Sequence, residues 1–394
     1  MIPLNFAANR RGLTVTGTEK YWVHTKEHGR LLETLCGNTS FIFGFNNKHI
    51  IDRVTQQQNQ LSYLVHTNYT CEDNDKLIEL LCKHGNFYGV SYAVSGTDGV
   101  ECAIAINDHY WTRKGKDKPK IVSFKPGYHG ATYLVRAMRG EEKIEDKVIV
   151  HPAPQWSTIK YREPHETYSF KILQNLLEDD KQIGAVIMES IPWYNGLRPW
   201  SDKWWKDIRS LCTEHNINLI IDDVMGGMGK LGEVFSHTKF GIQPDIAVLG
   251  KSLTGGYSPL SVACTSKEIA ETIKYTWVYG HTWQPNMMGV AAALASLDLL
   301  DNRVVIELEY KLNEMYNRLL ENKHITSYIV QGLMSEFRVK SSILSFSLSE
   351  NLHKSGLSCN QFTDKFLILC TPVIADDEYF TELEKRIIVA TTHK

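Results

Sequence analysis

Several features are missing from this chain of 394 residues, and each absence removes a class of protein. The eight cysteines form no C-x-x-C pair and have no histidines beside them at zinc-ligand spacing, so neither a zinc module nor a disulfide framework is expected. No apolar run approaches the ~18 residues that span a bilayer. The opening stretch, "MIPLNFAANRRGLTVTG", has no basic, then apolar, then small-residue pattern of a secretory signal. A cytoplasmic protein with reduced thiols and no membrane partner is the expectation. Charge of one sign is also scarce: 43 basic against 45 acidic residues leave a formal net charge of -2, which offers no basic field to nucleic acid. Internal repeats, low-complexity tracts and Pro/Gly/Ser linkers are absent as well.

What remains is a balance of 43% hydrophobic and 22% charged residues in a chain long enough for two or three domains. Between residues 90 and 266 short apolar runs alternate with helix-period segments. Strands are expected at 91–94, 120–124, 147–152, 184–190, 217–223, 245–250 and 261–266, and runs apolar at nearly every position imply burial on both faces. "DGVECAIAINDHYWTRKG" and "SDKWWKDIRSLCTEH" carry helical faces, the second opened by Ser201 or Asp202 as a cap. The alternation predicts an α/β fold, a large domain with a mostly parallel central sheet covered by helices. The texture differs at both ends, so residues 1–50 and 301–394 are expected to build a smaller α+β domain around a large domain of residues 51–300.

In open α/β sheets ligands bind beyond the carboxyl ends of the strands, and four of those ends are chemically unusual. "SGTDG" follows the first strand and opens a helix, a setting in which the N–H groups and hydroxyls of residues such as Gly96 and Thr97 can cradle an anion. "KPGYHGAT" follows the second, with Tyr128 as a flat face for stacking and His129 beside it. Asp222 and Asp223 end another strand; adjacent residues point to opposite faces and cannot chelate together, so one partner for one carboxylate is the simpler account and no metal is expected. Lys251 follows "DIAVLG", where a desolvated amine becomes the kind of nucleophile that forms Schiff bases. Each feature has a plain structural explanation by itself. Together they are the parts that pyridoxal phosphate requires.

These motifs, with "AVIMES", "IIDDVMGGMGKLGEVF", "PDIAVLGKSLTGG" and "GHTWQPNMMGVAAALASLDLL", resemble the class III aminotransferases among the fold-type I pyridoxal-phosphate enzymes. Within that family "GYHGAT", "GKSLTGG" and "SKEIAETI" look most like the diaminopelargonate aminotransferases. The resemblance implies that Lys251 forms the Schiff base with pyridoxal 5'-phosphate and then moves the substrate proton. It implies that Asp222 pairs with the pyridinium nitrogen, that Val224 and Tyr128 pack on the two ring faces, and that Gly96 and Thr97 hold the phosphate. His129 joins the cofactor-binding group, and Thr282 is expected to complete the phosphate site of a neighbouring subunit in a homodimer with shared active sites. Glu189 falls on the substrate side.

The departures from the family pattern concern the substrate. Ile368, in "LILCTPVI", stands where most glutamate-using members have a carboxylate-clamping arginine, and an apolar side chain cannot make that bidentate pair. Asn38 and Thr39 replace a pocket tryptophan pair of the diaminopelargonate enzymes, whose further arginine is missing near Asn360 or Gln361. The biotin-pathway substrate is therefore disfavoured or bound differently. In "ESIPWYNGLRPW", Trp193 and Tyr194 either narrow the substrate cavity or simply pack against the Trp204–Trp205 helix, and Arg198 is a candidate replacement anion clamp. The expected activity is a pyridoxal-phosphate aminotransferase passing an amino group from a small amine donor to a keto or aldehyde acceptor, on a specialised substrate. An aminomutase, decarboxylase or racemase on the same scaffold is the alternative, followed by a binding protein on an inactive scaffold.

Overall fold

A computed structural model describes residues 13–65, 67–139, 148–152, 162–321, 325–340, 352–358 and 366–392. Three strands near the start, β1 (Val15–Glu19), β2 (Trp22–Thr25) and β3 (Gly29–Glu33), form an antiparallel meander. The central sheet follows: β4 (Gly89–Ala93), β5 (Lys120–Lys125), β6 (Val148–Pro152), β7 (Ile183–Glu189), β8 (Asn218–Asp222), β9 (Ile246–Leu249) and β10 (Ser261–Thr265). The last part of the chain adds β11 (Ile325–Gln331), β12 (Met334–Val339), β13 (Leu357–Ser358) and β14 (Leu367–Cys370). β13 lies parallel to β3, so the two ends of the chain share a sheet, while β11, β12 and β14 form another.

All seven expected central strands are present, in the order β4-β10-β9-β8-β7-β5-β6. Every strand but β10 runs the same way. The apolar runs are explained by the pleat: Ile121, Ile187, Ile220 and Val248 pack with the helix Gly96–Arg113, and Val122, Val186, Leu219 and Ile221 pack on the other face with the helix Asp202–Glu214. The first helix lies so close to the sheet that a Cβ on Gly99 would stand 2.3 Å from Ser261 Oγ. The second is capped by Ser201, whose hydroxyl accepts from the Trp204 N–H, and buries Trp204, Ile208, Leu211 and Cys212. Burial stabilises each large apolar side chain by about 1.5–3 kcal/mol and the cap adds about 1 kcal/mol.

One local feature bears on the site. After β3 the chain makes a turn in which Cys36, Gly37, Asn38 and Thr39 all have positive φ, at 47°, 53°, 58° and 65°. Such a conformation costs roughly 1–2 kcal/mol per non-glycine residue, so the turn needs an anchor. Glu33 provides it, accepting from the N–H groups of Leu35 at 3.0 Å and Gly37 at 3.4 Å. Burial pushes the Glu33 carboxyl up to about 7, against the pull of its backbone donors.

Because the folded pKa exceeds the ordinary 4.5, the folded chain binds the extra proton between these values, and stability falls as pH rises from 4.5 to about 7. Thermal midpoints of the cofactor-free protein between pH 5 and pH 7.5 should therefore decline less steeply in Glu33→Gln than in the parent. Identical declines would mean that Glu33 does not ionise in this range.

Candidate active site

Six parallel strands put their carboxyl ends on one edge of the sheet, and a cavity of about 370 Å³ opens there. Its wall includes Ser95, Gly96 and Thr97 from the turn after β4, Tyr128, His129 and Gly130 after β5, and Glu189 at the end of β7. Asp222, Val224 and Met225 come from β8 and its following loop, Lys251 from the turn after β9, and Asn38 from the left-handed turn after β3. Residues from Ser95 to Lys251 thus face one space because the parallel sheet aligns their strands, and the turn after β3 adds Asn38.

The floor is a buried ion pair. His129 Nδ1 lies 2.8 Å from Asp222 Oδ2, with both residues no more than 5% exposed. Burial alone would lower the His129 pKa, but the hydrogen bond and charge of Asp222 outweigh it and carry the imidazole above its ordinary value. His129 Nδ1–H therefore donates to Asp222 and fixes the orientation of its carboxyl group. The other carboxylate oxygen of Asp222 accepts from the Val224 N–H at 3.2 Å.

Lys251 stands beside this pair. Burial lowers its pKa, opposed by the charges of Asp222 and Glu189, which increases the fraction of uncharged, nucleophilic amine. Its Nζ lies 3.4 Å from Met225 Sδ. Glu189 accepts from the backbone N–H groups of Tyr128 and Trp193, and burial raises its pKa to about 7.

The helix Gly96–Arg113 begins beside Val224 and Gly250, and Ser95 caps it by accepting from the Asp98 N–H. A Cβ at Gly96 would come within 2.7 Å of Val224 Cγ1, so only glycine lets this helix start meet the β8 loop. Thr97 Oγ1 accepts from the Ala131 N–H at 3.2 Å and retains its proton for donation to a ligand. The Tyr128 and Tyr194 rings lie 5.7 Å apart at the mouth, with the Arg139 guanidinium 4.8 Å from the Tyr128 ring centre.

The sequence model of the family described as "Aminotransferase class-III" matches residues 6–390. The chain belongs to the class III aminotransferases. An acetylornithine aminotransferase of Clostridium acetobutylicum is 28% identical over 78% of this chain and 76% of its own length. An adenosylmethionine-8-amino-7-oxononanoate aminotransferase of Aquifex aeolicus is 29% identical over 75% of this chain and 70% of its own. Among solved structures, an amine transaminase from an uncultivated Pseudomonas species, in its PLP-bound internal aldimine form, superposes with a TM-score of 0.89 at 19% identity, covering 99% of this chain and 98% of that one. The last likeness concerns the fold, which is the fold-type I architecture.

This class III aminotransferase is a pyridoxal 5'-phosphate enzyme, and the cavity suits that cofactor. It brings together a buried amine, a buried and oriented carboxylate, a helix start and a hydroxyl donor. Asp223 points away from it and caps the helix Ser236–Phe240 by accepting from the Ser236 N–H at 2.7 Å. No group of metal-ligating side chains occurs among the described residues.

The candidate substrate residues divide. Asn38, Glu189 and Trp193 line the cavity. Trp200 stacks on Trp204, 5.1 Å away between ring centres, and Phe240 stacks on Trp205 of the same helix, while Trp193 and Tyr194 line the cavity. Thr39 is a correction: it is fully buried and outside the wall, its hydroxyl donating to Met225 Sδ at 3.0 Å. Arg198 is another. It is buried outside the wall, where its charge acts on Glu336, the carboxylate that accepts from Arg338 at 2.7 Å.

Ile368 is buried in β14 opposite Glu336. Asn360 and Gln361 lie outside the described residues. Thr282 lies on an exposed loop away from this chain's own cavity, its carbonyl accepting from the Tyr63 hydroxyl at 2.6 Å.

Ser95, Gly130 and Met225 line the cavity without having been singled out from the sequence. Ser95 and Gly130 sit inside motifs that drew notice. Met225 carried no signal, because a methionine after a strand normally reads as core.

Replacing His129 by Asn should weaken cofactor binding roughly tenfold to a hundredfold, the worth of a charge-assisted hydrogen bond. Absorbance titration of the cofactor-free protein checks this. Unchanged affinity would mean that Asp222 needs no imidazole to hold its orientation.

Proposed function

We propose that this aminotransferase acts as a homodimer in the cytoplasm on a specialised amine whose reacting carbon carries an apolar or aromatic group. The observation that carries this reading is the buried Lys251 amine facing the Asp222–His129 pair across a wall of Asn38, Tyr128, Trp193, Tyr194 and Met225. No arginine is among the residues lining the cavity, so this chain presents no guanidinium fork there to a substrate α-carboxylate.

Bound pyridoxal phosphate supplies an electrophilic carbonyl and a pyridinium ring that accepts electron density. Asp222, oriented by His129, would hold the ring nitrogen of the cofactor. Gly96 and Thr97 offer N–H and hydroxyl donors to the phosphate. Lys251 would hold the cofactor, and its amine is the group placed to take up and return the proton of the amine-bearing carbon. Tyr128, Trp193 and Tyr194 exclude water from that carbon. Over two half-reactions an amine donor becomes a carbonyl compound and a carbonyl acceptor becomes an amine.

The dimer reading is supported by exposed aromatics around the Thr282 loop. Tyr63, Trp277 and Trp283 are 43%, 62% and 61% exposed, and Tyr63 packs edge-on against Trp283. Large aromatic rings left in water beside one another mark a surface that another chain covers. The seven described cysteines are free thiols, as the reducing cytoplasm maintains them.

Borohydride treatment of the coloured, cofactor-loaded enzyme should fix the cofactor to a peptide containing Lys251, and Lys251→Ala should abolish that adduct. A hydrophobic or aryl amine should convert the cofactor absorbance to that of its aminated form faster than glutamate or S-adenosylmethionine does. Faster conversion by glutamate would overturn the substrate reading, and carbon dioxide release or product from a single substrate would select another reaction class. Sedimentation should give twice the chain mass of 45.0 kDa.

A further inference from the structure

Met225 is a cavity residue without an assigned role, and it stands at the centre of two contacts. Its Sδ is 3.4 Å from Lys251 Nζ and 3.0 Å from Thr39 Oγ1. Among the described residues it is the hydrogen-bond acceptor that the Lys251 amine has. A thioether is a neutral, weak acceptor, unlike a carboxylate or an amide oxygen.

Methionine is ordinarily a mobile side chain. Here its sulfur is held from behind. The carbonyl of Thr39 accepts from Ser252 Oγ at 2.6 Å, and Ser252 Oγ in turn accepts from the buried Lys230 Nζ at 3.0 Å. Lys230 also donates to the Gly227 carbonyl at 2.6 Å. The left-handed turn after β3, the β8 loop and the turn that bears Lys251 are thereby tied together at the sulfur. The other groups whose charges act on the amine are Asp222 on β8, Glu189 on β7 and Cys370 on β14, with Lys230 as a like charge nearby.

We propose that Met225 is the positioning residue of Lys251: its sulfur holds the amine at the cavity wall while stabilising the ammonium less than an oxygen acceptor would, and it links that position to Thr39 on the turn after β3. A stronger acceptor in the same place would hold the amine equally well but would stabilise its protonated form. A side chain with no acceptor would leave the amine unheld. This role rests on Lys251 being the reactive amine, which the borohydride adduct tests separately.

The decisive measurement is the pH dependence of Lys251 acylation in the cofactor-free protein, followed by mass spectrometry with a small anhydride. It reads the basicity of the amine whether or not the enzyme turns over. Met225→Gln should raise the labelling midpoint by about one pH unit, which below the midpoint means roughly tenfold slower labelling at a given pH. Met225→Leu, of similar volume, should not raise it. Equal midpoints in the parent and the Gln variant would overturn the proposal. So would a rise shared by the Gln and Leu variants, since altered burial would then be the cause. Should the Gln variant not fold, Met225→Leu decides alone: loss of the tether should lower kcat roughly tenfold with KM unchanged, and an unchanged kcat would sink the idea.

Discussion

Keeping the Lys251 amine out of water beside the Asp222 and Glu189 charges is the constraint on which the rest of the site depends. A buried ammonium is costly, and so is a buried carboxylate, unless each is paired or shares its charge. The protein meets this by dividing the roles. His129 pairs with Asp222, burial raises the Glu189 pKa to about 7, and Lys251 is left with a thioether as its hydrogen-bond partner. The amine is thus held without being committed to its charged form. That is the condition under which a lysine can exchange between covalent attachment and base catalysis.

The sheet makes this arrangement possible. β4, β5, β7, β8 and β9 run parallel, so their last residues arrive on one edge although they lie far apart in sequence. Glycine at 96 lets the helix start approach the β8 loop closely enough to close the cavity. The strained turn at residues 36–39, anchored by Glu33, brings a segment from before the central sheet to the same place. The turn after β3, the β8 loop and the turn that bears Lys251 are then joined through Thr39, Met225 and Ser252 rather than merely placed side by side.

A family can be shared while its substrates differ, and the differences here are concentrated away from the strand ends. Trp193 and Tyr194 occupy the wall while Arg198 turns to Glu336. An arginine four and five residues from the pocket aromatics Tyr194 and Trp193 is an obvious substrate clamp in one dimension. In three dimensions the loop reverses after Gly196, whose φ of 66° redirects the chain towards β12.

The sequence by itself determined the central strands, the helices that cover them and the residues at their carboxyl ends. Alternating apolar runs and cap residues are local signals, and a parallel sheet converts position along a strand into position at its edge. Asp222, Lys251, Tyr128 and Gly96 were legible for that reason. Only the tertiary structure decided which neighbours these residues meet. His129 as the partner of Asp222, Met225 as the partner of Lys251, and the departure of Thr39 and Arg198 from the cavity all depend on contacts between segments distant in the chain. Side-chain direction in loops and left-handed turns follows from backbone angles and packing that no periodic pattern encodes.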